Sequence, residues 1–256
     1  MTVSFNWLPA LAFSYLLIFA RVGVMLMLAP AIGEQMIPAR LRLSFALALA
    51  LVFMPLLSAS LPAVPNSLFG IVTMVLHEMA IGFILGGIAR LITSVLAVAG
   101  STMAFQMGLS LAQTADPTQT GVQGAIVGNF LTIVGLAAVF ATNLHHLVLA
   151  AIYQSYTTFP PQADLMLGDA AWLAVDTVSS AFAVGVQLAA PFIIFGLVFY
   201  LGLGLLARLM PQLQVFFIAM PANVGLGLIL FALLLLTLMG WYLMHFQSHF
   251  EMLMGA

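Results

Sequence analysis

Apolar residues run along this chain in long, nearly unbroken stretches, and ionisable residues are confined to a few short connectors. No Asp, Glu, Lys or Arg occurs from Leu43 to His77, Leu91 to Ala115, Pro117 to Ala163, Thr177 to Ala207 or Leu209 to Phe250. A helix that crosses a bilayer needs about 20 apolar residues. A transmembrane barrel strand would instead alternate apolar and polar residues over about 10 positions. The runs are too long and too uniform for strands, and only helices or closed barrels satisfy their backbone in lipid. The pattern predicts six helical arms.

Turn signals set the boundaries of those arms. The first runs from Trp7 to Ala29 and stops at Pro30. After a connector with Gly33, Glu34 and Gln35, the second begins behind Pro38, as a proline at a helix start allows, and ends near Leu57. Pro62 and Pro65 punctuate the next link. The third arm, Ser67 to Leu111, is too long for one straight crossing, and Gly82, Gly86, Gly87 and Gly100 permit bends or close packing. A polar segment, Gln113 to Gly121, separates it from the fourth arm, Val122 to Thr158. Behind Pro160-Pro161 and an acidic loop come the fifth arm, Ala170 to Met210, and the sixth, from Gln212 onward. The spacings Gly82–Gly86 and Gly124–Gly128 are GxxxG patterns, which let helix backbones approach closely in lipid.

Composition agrees with this picture. Of the 256 residues, 64% are hydrophobic and 5% charged, whereas soluble domains carry about a quarter charged residues. The outer surface must therefore face lipid or large apolar partners. The formal net charge of −2 and the absence of lysine exclude a basic nucleic-acid face. Without cysteine there is no disulfide, thiolate zinc site or thiol nucleophile. The N-terminal stretch lacks the basic flank of a signal peptide and is expected to be the first helix. Arg40, Arg42 and Arg208 beside the first and fifth connectors place the odd-numbered connectors in the cytoplasm and both termini outside.

Charges within apolar arms are the first candidates for chemistry, because a central Arg or Asp costs about 2.5–3.5 kcal/mol on insertion scales. Arg21, Glu78 and Arg90 are such residues, with Asp176 near the start of arm five. Membrane charges mark function by default; pairing between helices or subunits is the structural reading and the preferred one. Glu78 and Arg90 are about 18 Å apart along one helix and cannot pair with each other there. His77-Glu78 lacks the second histidine of a zinc-protease motif, since position 81 is Ile. The adjacent His145 and His146 diverge by about 100° on a helix. His245 and His249 could share a face but have no third ligand. No nucleophile elbow or phosphate loop is present, so the chain is expected not to be an enzyme and to need no cofactor or metal. Within the polar segment, Asp116, Pro117 and Gln119 read as a capping box. Irregular backbone at membrane depth also survives inside protein or beside a water-filled cavity, so the segment reads equally as a loop entering a pathway between helices.

Taken in order, several motifs resemble the FliR family over nearly the whole chain. They are Phe19-Ala-Arg-Val-Gly23, Ile37-Pro-Ala-Arg40, His77-Glu78 leading to Gly82, and Phe105-Gln-Met-Gly-Leu-Ser followed by Asp116-Pro117. Asn143-Leu-His-His146, Ser155, Phe159-Pro160, Ala190-Pro191, Arg208-Leu-Met-Pro-Gln212 and Met220-Pro221 continue the series. The resemblance implies an all-α, polytopic fold of long kinked hairpins in one export-gate domain. A FliP-like part, about 1–168, would be followed by a FliQ-like hairpin, about 169–256. It implies a subunit of the flagellar type III export gate in the bacterial inner membrane, at the flagellar basal body. Its partners would be FliP and FliQ homologues, FlhB and FlhA homologues, and unfolded export substrates. The virulence type III secretion counterpart is similar, and the Asp-Pro loop and His-His region favour the flagellar branch. An ion-coupled secondary transporter is the remaining alternative, although no inverted repeat is evident. By motif position the family's pore plug maps onto about 106–121, with Phe105, Gln106, Met107, Gly108, Gln113, Asp116, Pro117 and Gln119. Arg208, Pro211 and Gln212 map to the cytoplasmic base loop. In such an assembly much apolar surface becomes subunit interface, so six arms overstate the true lipid crossings.

Overall fold

Long apolar runs leave the backbone only one economical way to pair its polar groups in lipid, and a computed structural model shows the chain as helices. Described are residues 8–30, 32–33, 37–109, 126–161, 163, 167–210 and 215–253. The helices are α1 (Leu8–Leu28), α2 (Ala39–Leu57), α3 (Leu68–Thr93), α4 (Val95–Gln106), α5 (Ile126–Ala141), α6 (His145–Thr158), α7 (Leu167–Leu209) and α8 (Val215–Leu253). A short 3-10 turn, Ser58–Ser60, closes α2. Five helical stretches among the described residues are long and apolar enough to cross a membrane, α3 and α4 counting as one. A sixth crossing results if α5 and α6 are taken together as one broken span.

The long third arm is interrupted at Ser94, between α3 and α4. The fourth differs from the single helix expected. It breaks at 142–144, where Asn143 takes a left-handed φ of 60°. Asparagine tolerates that region better than most residues, and the hydroxyl of Thr142 donates to the Ala138 carbonyl at 2.8 Å, covering an acceptor that the helix end leaves open. At about 1.5 Å per residue, α7 with 43 residues and α8 with 39 have contours of about 64 and 58 Å.

The chain forms two compact units. One comprises 1–92, 143–177 and 247–256. In it α3 lies against α1 through the Gly82–Gly86 face. A side chain at Gly82 would begin 2.5 Å from the Arg21 carbonyl, and one at Gly86 would begin 2.9 Å from the Met25 carbonyl. The Tyr15 hydroxyl donates to the Leu47 carbonyl of α2 at 3.0 Å, and Phe53 of α2 meets Tyr153 of α6 with ring centres 6.3 Å apart. Leu17, Ile18, Val22, Met25 and Leu26 of α1 are buried with Ile81, Leu85 and Ile88 of α3 and Ile152 of α6.

The other unit comprises 93–142 and 178–246. Here α4 and α5 meet backbone to backbone: a side chain at Gly100 would overlap Gly128. Gly185 of α7 accommodates Val98, and Gly135 of α5 faces Leu96 and Tyr242. Phe231 of α8 contacts Phe130 and Phe192 with ring centres 5.9 and 6.2 Å away. Small residues thus set the helix approaches, and aromatic and aliphatic side chains fill what lies between, as expected where lipid provides no hydrophobic drive between helices.

Candidate functional site

The first unit contains a fully buried ion pair. Arg21 of α1 is 0% exposed and Glu78 of α3 is 1% exposed. Arg21 Nε donates to Glu78 Oε2 at 2.6 Å and Nη2 to Oε1 at 3.0 Å, the bidentate fork that planar guanidinium and carboxylate allow. Nη1 donates to the Ser155 carbonyl at 2.8 Å and its hydroxyl oxygen at 3.4 Å, and Nη2 to the Phe159 carbonyl at 2.9 Å. All five guanidinium donors therefore meet an acceptor. Those carbonyls belong to the last turn and the cap of α6, where a helix leaves carbonyls open and carries negative partial charge. The Tyr156 ring lies 4.1 Å from the guanidinium carbon, close enough for a cation–π contact.

This joint holds α1, α3 and the end of α6 at one point. With every donor of Arg21 committed, it has no free position at which to receive or pass an ion. The sequence marked Arg21 and Glu78 as interior charges, and the structure makes them partners across 57 positions. Arg90, the third interior charge, is exposed near the end of α3. Asp176 is also exposed and lines a mostly apolar cavity of about 170 Å³ with Ile88, Phe159, Leu173 and His249. At the start of α6 the His145 and His146 rings lie 4.3 Å apart, closer than their helical separation suggested, because they occupy the first turn behind the Asn143 break.

The second unit contains the end of α4, where the polar segment begins. Phe105 is 61% exposed, whereas Met107 and Gly108 are buried and Gln106 is half-buried. The Gln106 side chain fills the space over Gly196 of α7, and Met107 fills the space over Gly227 of α8. Gly108 has φ 76°, a conformation glycine adopts at no steric cost. A side chain there would begin 2.8 Å from Asn223 Nδ2. Asn223 of α8 is 3% exposed. Its Nδ2 donates to the Gln106 carbonyl at 3.4 Å and to the Tyr200 hydroxyl oxygen at 3.5 Å, while Oδ1 is buried without a hydrogen-bond partner.

Gln113, Asp116, Pro117 and Gln119 lie outside the described residues, as do Pro211 and Gln212. Arg208 is exposed in the last turn of α7, where a cation suits the helix dipole. Sequence reasoning missed Tyr156, Gly196, Tyr200, Asn223 and Gly227. Only Asn223 left a visible signal, as an amide inside an otherwise apolar arm.

Comparison with known proteins fits this arrangement. Residues 12–249 match the family described as bacterial export proteins, family 1. The flagellar biosynthetic protein FliR of Caulobacter vibrioides is 49% identical over 217 residues, 85% of this chain and 86% of that protein. FliR of Bacillus subtilis is 31% identical over 85% of this chain and 84% of its own. FliR of Escherichia coli is 28% identical over 84% and 81%, respectively.

Proposed function

Because the chain belongs to the bacterial export proteins, family 1, and within them to the FliR proteins, we propose that it forms part of a closable conduit for unfolded polypeptide. It is a multi-pass helical protein of the inner membrane and a subunit of the flagellar type III export gate. In the proposed assembly it packs with FliP and FliQ homologues. The 1–168 part takes the FliP-like place and 169–256 the FliQ-like hairpin. Arg208, Pro211 and Gln212 face FlhB and FlhA homologues at the cytoplasmic base. The protein performs no catalysis, and the energy for transport is supplied elsewhere in the apparatus.

The obstruction is assigned to 106–121. The observation that carries this reading is the anchoring of its first residues: Gln106 and Met107 are seated over glycines of α7 and α8 immediately before the chain turns polar. Flexible, apolar Met and Phe side chains can deform and reseal around a passing chain, and an apolar constriction excludes ions by excluding water. Sealing matters because each unit charge crossing 100 mV is worth about 2.3 kcal/mol. Deleting Gln113 to Thr120 in cells that retain the assembled gate is expected to make the membrane leak ions. An intact barrier in such cells would refute the plug. A tight membrane with lost solute uptake would instead indicate a carrier.

A further inference from the structure

We propose that the end of α4 is a releasable catch, with Asn223 as the positioning residue that holds it, and that the catch must open for each export event; this rests on the plug assignment above. Two pairs of residues receive α4. Gly196 and Tyr200 lie on one face of α7, and Asn223 and Gly227 on one face of α8, each pair four residues apart. The glycines form sockets for Gln106 and Met107, so the closed position is specified by shape.

The polar contacts are poorly matched to that shape. Both Asn223 hydrogen bonds, at 3.4 and 3.5 Å, exceed the usual range of about 2.7–3.2 Å. Its Oδ1 is buried and unpaired, which destabilises the closed state. A permanent joint would satisfy that amide, as the Arg21 joint satisfies its guanidinium. Tight packing with weak, incomplete polar bonding suits a contact that is made and broken. Gly108, with φ 76° and no room for a side chain, is the point at which the chain can swing.

Because the chain lacks cysteine, the catch can be locked. The Gln106 Cβ lies 3.3 Å from where a Gly196 side chain would begin, near the about 3.8 Å of a disulfide. The double variant Gln106→Cys/Gly196→Cys, assembled in the full gate, should export normally under reducing conditions. After oxidation, checked by gel, export should fall at least tenfold and return on reduction. That reversibility excludes misfolding. Undiminished export with the cross-link complete would overturn the catch, even if deleting Gln113 to Thr120 makes the membrane leak. Reversible block without leakage on that deletion would uphold a moving joint and refute the plug. As a second variant, Asn223→Leu removes the amide; it should raise ion leak at least threefold with the subunit still assembled. A resting barrier unchanged by it would remove Asn223 from the catch.

Discussion

Glu78→Gln isolates the buried ion pair with the smallest change of shape. The glutamine can still accept a hydrogen bond from Arg21, but the guanidinium loses its counter-charge while remaining 0% exposed. Breaking one side of a buried pair costs about 3–5 kcal/mol. The retained acceptors at Ser155 and Phe159 and the Tyr156 face favour the lower end, about 3 kcal/mol. That is more than a hundredfold in the folding equilibrium, against a total stability of about 5–15 kcal/mol for a typical domain. The measurement is thermal melting of the detergent-solubilised gate complex, together with the fraction of chain retained in it. The double variant Arg21→Met/Glu78→Leu should recover most of the loss, since apolar replacement of a whole buried pair is often neutral or stabilising. The cycle should then give a coupling well above the 0.5 kcal/mol seen between independent sites. A Glu78→Gln protein that melts within 0.5 kcal/mol of the native one would refute the claim that this pair fixes α1, α3 and α6 together.

Gly82→Val should destabilise by about 1–3 kcal/mol, because its branches would start 2.5 Å from the Arg21 carbonyl; melting in detergent reads this directly. Gly87→Ala, whose new methyl meets nothing within 4 Å of this chain, should be neutral or gain up to about 1 kcal/mol of helix stability in the same assay. Leu236→Asp should sharply reduce membrane-integrated protein. Leu236 is 86% exposed, and an aspartate at mid-membrane costs about 2.5–3.5 kcal/mol. Unchanged integration and complex yield would show that this face of α8 lies in water.

The arms were legible because lipid tolerates so few charges that their absence outlines each helix. Pro38, Pro62 and Pro160 supplied the punctuation. The GxxxG spacing of Gly82 and Gly86 anticipated a close approach, realised against α1. The break at Asn143 was not legible, since Asn-Leu-His-His contains neither proline nor glycine and the tertiary setting decides its φ. Nor could the partner of Arg21 be identified. Glu78 and the carbonyls of Ser155 and Phe159 come from separate helices, and a carbonyl is the same in every residue. Gly196 and Gly227 occur in helices already rich in glycine, so only the side chains opposite them reveal what they receive.

The lengths of α7 and α8 constrain the protein's supply. To fit contours of about 64 and 58 Å into a hydrocarbon layer of about 30 Å, straight helices would have to lean by about 60°, well beyond the 0–40° range observed. A surplus copy without neighbours therefore carries greasy helix that the bilayer cannot absorb, a natural target for membrane proteases. The abundance of this chain should then follow that of whatever covers the excess, without a dedicated regulator.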